Sequence, residues 1–228
     1  MKSQHCCHLD HQCIERVPIF SNLNPQEMEE VSASITHRSY QKGEAIYLAG
    51  ERTEQLFIIN QGRVKISKIS EGGKEQIIRI LEEGDFIDEL SIFTHSPAKN
   101  NAEALETTIM CAIEGERMKN IIEKNPAIAL KIIKELGTRL EKTEDLIESL
   151  GILNVEQRIA EVLLEMAGDK ERINLSISKK DLAAYMGMTQ ETLSRKLSSF
   201  QNMGWIEQKG QRTILLKDKE ALKNIYKI

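Results

Sequence analysis

Apolar residues change their period along this chain. From Ala129 to Leu150 they return every four and three positions, at Ala129, Ile133, Leu136, Leu140, Ile147 and Leu150, with Thr143 as the one polar member. That is the a/d seam of a long helix. Asn125-Pro126 supplies its start, and Gly151 is expected just past its end. Glu135, Arg139, Glu141, Lys142, Glu144 and Asp145 crowd the flanks. A stripe of this kind can pack on its own domain, but strict alternation over several heptads with charged flanks predicts a partner helix and hence a homodimer. Before this helix the texture is different. Short β-prone runs, at 38–40, 45–48, 56–60, 64–69, 76–81 and 107–113, are punctuated by Gly43, Gly50, Gly62, Gly72, Gly73 and Gly84. They predict an antiparallel barrel or jelly roll, preceded by a helix over 25–34.

After the long helix the period returns to that of short helices. Ser178 with Asp181 makes a capping start, Gly187 a turn, and Thr189 the cap of a second helix. Leu193, Leu197 and Phe200 form an apolar stripe that must bury against Leu182, Ala183 and Met186 of the first helix. Gln190, Glu191, Ser194 and Arg195 are left on the first exposed turns, where a recognition helix meets base edges in the major groove. The stretch predicts a helix-turn-helix. Residues 204–209 and 212–216 read as two strands around the Gly210-Gln211 turn, a wing with Lys209 and Arg212 at its tip for phosphate contacts.

Charge sharpens this picture. The 228-residue chain carries a net −4, which looks wrong for a DNA binder. Residues 151–228, however, hold 13 Lys+Arg against 10 Asp+Glu, whereas residues 1–150 hold 18 against 25. A mildly basic module on an acidic partner fits a regulator whose affinity comes from specific contacts and dimerisation. Aromatic content of 4% disfavours single-strand stacking. No apolar run is long enough to span a membrane and the N-terminus is too polar for a signal peptide, so a cytoplasmic location is expected. Phosphate-loop, G-x-S-x-G and H-E-x-x-H motifs are missing, and no enzyme is expected.

The first 16 residues stand apart. Cys6, Cys7 and Cys13 cluster there with His5, His8 and His11, and the fourth cysteine, Cys111, lies in the apolar run 109–113. Reduced cytosolic thiols favour metal ligation or redox sensing over a structural disulfide. A frayed, weakly metal-scavenging tail is the bland alternative, and Cys111 taken alone would be core filler.

A β-roll, a long helix and a C-terminal winged helix-turn-helix, in that order, resemble the CRP/FNR family of bacterial transcription regulators. Matching residues include Lys42-Gly43-Glu44, Gly50-Glu51, Gly62, Gly84-Asp85-Phe86 and Thr189 to Arg195. The resemblance implies an α+β fold in four parts: a Cys/His-rich arm at 1–16, a cyclic-nucleotide-binding-like β-roll at 17–124, a dimerisation helix at 125–150, and a winged helix-turn-helix at 151–228. It also implies a homodimer on palindromic double-stranded DNA, pairing through Ile133, Leu136, Leu140, Thr143, Ile147 and Leu150, and engaging RNA polymerase. Cyclic-AMP-binding members hold phosphate with a Gly-Glu-Leu turn and an Arg-Ser or Arg-Ala pair. Here those places read Asp88-Glu89-Leu90 and Lys99-Asn100, so cAMP is not expected.

Iron-sulfur members of the family ligate a cluster with N-terminal cysteines and one from a stretch resembling Ala104 to Cys111. Cys7 and Cys13 keep that pattern's five-residue gap, but Gln4 occupies the first cysteine's place and Cys6 adjoins Cys7. The resemblance therefore implies a 4Fe-4S cluster on Cys6, Cys7, Cys13 and Cys111. Zinc on a Cys/His set, a reversible disulfide to Cys111, and a small-molecule effector without a cluster stay open. On the DNA side, family positions give Arg195 the guanine and Glu191 the cytosine of a shared G·C step. Ser194 favours an FNR-like TTGAT-type half-site.

Overall fold

The structure is a computed structural model and describes residues 17–21 and 23–226. Two compact units divide it: one runs up to Lys68 and resumes over Ile78–Leu140, and the other comprises Ile69–Ile77 and the chain from Glu141 onward.

In the first unit a 3-10 turn, Pro18–Phe20, leads into α1 (Pro25–Ser32). Asn24 caps α1 by accepting from the Gln26 and Glu27 amides, while the Glu27 side chain accepts from the Asn24 amide and completes a capping box. The roll follows as β1 (Ile35–Tyr40), β2 (Ala45–Tyr47), β3 (Gln55–Gln61), β4 (Val64–Ile69), β5 (Glu75–Leu81) and β6 (Phe86–Ile87). Then come α2 (Glu89–Thr94), β7 (Asn101–Ala104), β8 (Thr108–Glu114) and α3 (Gly115–Lys124). The strands form two four-stranded sheets, β1-β8-β3-β6 and β2-β7-β4-β5.

Both faces of β3 and β8 are covered, which is why these strands read as unbroken apolar runs rather than alternating ones. Leu56, Ile58, Cys111 and Ile113 join one core with Met118, Ile121, Ile128 and Ile132 from the helices, whereas Phe57, Ile59, Met110 and Ala112 join a second with Tyr47, Ile66 and Leu81. The two-residue period of β8 thus turns Cys111 toward the helices and not toward the second sheet.

α4 (Pro126–Ile152) begins in this unit and ends in the other. It is two residues longer than the sequence suggests, and Gly151 is helical rather than a cap. The Arg158 guanidinium donates to the carbonyls of Leu150 and Leu153 at 3.3 and 3.1 Å. It satisfies carbonyls that a glycine cap would otherwise serve.

The second unit continues with α5 (Val155–Ala167), β9 (Arg172–Asn174), α6 (Lys179–Tyr185), α7 (Gln190–Asn202), β10 (Ile206–Lys209), β11 (Thr213–Leu216) and α8 (Lys219–Tyr226). The expected wing hairpin is present, and β9 extends it to a three-stranded sheet ordered β10-β11-β9. Sequence reasoning did not find α5, β9, α8, or the short elements β6, α2 and β7 of the roll. No described helix is long and apolar enough to cross a membrane.

Candidate functional site

Local chemistry builds the α6–α7 pair. The Ser178 hydroxyl accepts from the Asp181 amide and opens α6. Gly187, at φ +71°, takes the left-handed turn between the helices, and the Thr189 side chain accepts from the Thr192 amide to open α7. Leu182, Ala183, Met186, Leu193, Leu197 and Phe200 are all at most 2% exposed. Burying that stripe fixes which face of α7 remains outside. Gln190, Glu191 and Arg195 are exposed and Ser194 is half-buried on the same first turns.

Two polar ties hold this frame. Lys196 donates to Glu156 of α5 at 2.6 Å, and Lys179 donates to Gln208 of β10 at 2.7 Å. Lys209 and Arg212 are exposed on either side of the Gly210 turn, with the Lys209 ammonium 3.6 Å from Glu207. The unit thus presents a positively tipped hairpin and one helix end whose polar side chains have the donors and acceptors that base edges require.

On α4, Ile133, Leu140 and Ile147, seven residues apart, are 62, 60 and 66% exposed. Leu136 packs on the first core, and Thr143 and Leu150 are half-buried. Arg139, expected on the charged flank, is instead 6% exposed. Its Nη1 donates to Glu89 at 3.1 Å, its Nη2 to the Phe86 carbonyl at 2.8 Å and its Nε to Glu135 at 3.1 Å, with the guanidinium 4.3 Å from the Phe86 ring centre. A ready-made acceptor set turned this residue inward, and no feature of the heptad itself announces it.

At the Asp88-Glu89-Leu90 turn, Asp88 sits at φ +65°, a conformation suited to glycine. The Thr53 hydroxyl donates to its carboxylate. Burial is the main force raising the Asp88 carboxyl to about 6, with Glu89 adding to it and the Ser91 hydrogen bond opposing. Lys99 is exposed and Asn100 half-buried.

Cys111 is completely buried. Its sulfur is disulfide-bonded. Cys6, Cys7 and Cys13 lie outside the described residues. His37, which sequence reasoning missed, is the direct cross-strand partner of Cys111 on β1, and its Nδ1 is 3.7 Å from the sulfur. The run expected at 38–40 stops one residue short of His37, and only the β1–β8 register sets that residue opposite Cys111. Among the described residues no group of three or more His, Cys, Asp or Glu could hold a metal ion.

Comparison with known proteins matches both units. Residues 37–125 match the cyclic nucleotide-binding domain family, and residues 157–225 the Crp-like helix-turn-helix domain family. The chain is 28% identical, over 96% of its length and 88% of the other's, to a fumarate and nitrate reduction regulatory protein of Yersinia pestis. It is 26% identical to a probable transcriptional regulator flp of Lacticaseibacillus casei, over 90 and 94% of the two chains. The solved structure of FixK2 from Bradyrhizobium japonicum superposes with a TM-score of 0.73 at 27% identity, covering 84% of this chain and 96% of that one. With both family signatures in order along the chain, on a fold shared with such regulators, the protein belongs to the CRP/FNR family of transcription regulators, which bind DNA and are not enzymes.

Proposed function

We propose that this protein is a homodimeric regulator that reads a palindrome of TTGAT-type half-sites and whose DNA affinity follows the redox state of Cys111. The observation that carries the DNA reading is the buried α6–α7 stripe, which leaves Gln190, Glu191, Ser194 and Arg195 together at the outer end of α7. In a major groove the Arg195 guanidinium would donate to guanine O6 and N7, and the Glu191 carboxylate would accept from cytosine N4. Lys209 and Arg212 would meet phosphates. Ile133, Leu140 and Ile147 would pair with a second copy, setting the two reading helices on successive half-sites. Residues 17–124 serve as the sensor, 125–150 as the dimer helix and 151–228 as the reader, which engages RNA polymerase on bound DNA.

The sensing chemistry follows from Cys111. Held in a disulfide, its sulfur has no thiolate to offer a metal, so the described residues do not fit an iron-sulfur cluster in this state. A thiol–disulfide switch is the reading they support. Two thiols give up two protons and two electrons as the S–S bond forms. Hydrogen peroxide, as oxidant, takes them up and leaves as two waters; a small dithiol reverses the step. Cys111 lies on β8, the strand that runs directly into α3 and then α4, so a bond made or broken there acts on the element that feeds the dimer helix.

The test is DNA affinity by fluorescence anisotropy for reduced and peroxide-treated protein, with thiol counting and iron and sulfide analysis on the same anaerobic samples. The redox reading expects an affinity difference that Cys111→Ser abolishes, with two thiols lost on oxidation and no iron. Stoichiometric iron and sulfide bound through Cys111 would replace it with a cluster. Equal affinity in both states would remove redox control altogether.

A further inference from the structure

The Cys111 sulfur sits in an apolar core. β8 lies between β1 and β3 in the first sheet, and the register sets Cys111 opposite Ile58 on one side and His37 on the other. Leu56, Ile58 and Ile113 of the same core are 0% exposed, as is Cys111. With no exposed surface, the Cys111 sulfur is the leaving group when a dithiol cleaves the pair, and not the point of attack. It leaves as a thiolate. A thiolate among aliphatic side chains is costly, and a poorer leaving group slows the exchange.

His37 is the polar neighbour that changes this. Its Nδ1 stands 3.7 Å from the sulfur, a hydrogen-bonding distance for so large an atom. A disulfide sulfur carries no hydrogen, so in this contact Nδ1–H donates and the sulfur accepts. Direct cross-strand neighbours on an antiparallel pair have Cβ atoms about 4.5–5.5 Å apart, so the β1–β8 register itself holds the imidazole against the sulfur. β1 is the edge strand of its sheet and His37 is half-buried, so the ring meets the sulfur from the rim of the core.

We infer that His37 is a second member of the redox site, whose Nδ1–H hydrogen-bonds the Cys111 sulfur as it becomes a thiolate and so sets how fast the disulfide is reduced. The inference rests on the thiol–disulfide reading of Cys111. In the reductive direction a thiolate of the dithiol attacks the other sulfur of the pair, the S–S bond breaks, and its electron pair goes to Cys111 Sγ, where Nδ1–H stabilises it. The second thiol of the dithiol then resolves the mixed disulfide. The dithiol is oxidised by two electrons, and its two protons end on the two cysteines. No proton leaves the imidazole, so the step needs only a donor at the Nδ1 position.

Reduction kinetics of the oxidised full chain test it. Dithiothreitol is added anaerobically, samples are quenched with excess N-ethylmaleimide in denaturant, and mass spectrometry follows the alkylated fraction of the Cys111 peptide in the parent, His37→Leu and His37→Asn. Asn carries an N–H donor the same two bonds from Cβ as Nδ1, and Leu puts a methyl there. His37→Leu is expected to slow the release of Cys111 about tenfold, the effect of one hydrogen bond to a charged group, whereas His37→Asn stays within about threefold of the parent. A ring that only packs gives the opposite sign, because a loosened core opens the sulfur to reagent and speeds its release. His37→Leu at or above the parent rate therefore overturns the inference, as do two variants slowed alike, and both results leave the redox reading standing. Alkylation of Cys111 in the peroxide-treated parent before any dithiol is added means that no disulfide forms, and then the redox reading falls together with the inference.

Discussion

Arg139 Nη1 donates to Glu89 Oε1 across 3.1 Å with the two side chains only 7 and 6% exposed. This pair joins α4 to the first turn of α2, fifty residues earlier in the chain. Removing one member of such a pair strands the other charge in a low-dielectric place. Arg139→Ala is expected to cost about 3–5 kcal/mol, and urea denaturation measures it. The double change Arg139→Met with Glu89→Leu removes both charges and recovers most of that loss.

Asp88 gives a pH dependence of defined sign. Its carboxyl is raised from 3.8 to about 6 in the folded protein, chiefly by burial. The folded state therefore holds this proton more tightly than the unfolded chain. Its stabilising contribution is full below about pH 3.8 and is lost as pH rises through about 6. Asp88→Asn keeps an acceptor for Thr53 and tolerates the positive φ. Its Tm relative to the parent should rise between pH 4 and pH 7, by a small amount because Asp88 is only half-buried.

Gly62 is fixed by close approach as well as by its backbone. At φ +98°, a Cβ there would stand 2.6 Å from the Thr108 hydroxyl and 2.8 Å from the Thr107 carbonyl. Gly43, at φ +82°, has nothing within 4 Å. Gly43→Ala should cost about 1 kcal/mol from conformation alone, and Gly62→Ala clearly more, compared by thermal unfolding of the two variants.

Much of this fold was legible because its signals are local. Ser178, Gly187 and Thr189 mark the ends of α6 and α7, and the Leu193-Leu197-Phe200 stripe fixes their packing, so the reading helix could be placed to the residue. Strands β3, β4, β5 and β8 are apolar enough to stand out. By contrast β6 has two residues, α2 six, and β7 reads Asn-Ala-Glu-Ala, and such pieces are defined by their sheet or helix partners. Long-range facts stayed hidden for the same reason. Arg139 looks like a surface heptad charge until Glu89 and Phe86 are brought beneath it, and His37 gains its meaning only from the β1–β8 register that sets it opposite Cys111.

The exposed seam of α4 predicts assembly. Ile133, Leu140 and Ile147 are each worth about 1.5–3 kcal/mol when fully buried against a partner. Leu140→Lys with Ile147→Lys should convert a dimer to a monomer in analytical ultracentrifugation. Far-UV circular dichroism should remain unchanged, because neither side chain packs in the monomer's own core.

Sequence-specific DNA binding tests the account most directly. The measurement is an anisotropy titration of the dimer, at physiological salt, against a duplex with two TTGAT half-sites and against the same bases scrambled. The account predicts binding to the palindrome tighter than to the scrambled duplex by about a thousandfold or more. Arg195→Ala should lose about 1–3 kcal/mol and relax preference at a single G·C pair. Equal affinity for the two duplexes, in both reduced and oxidised protein and unaltered by Arg195→Ala, would contradict it.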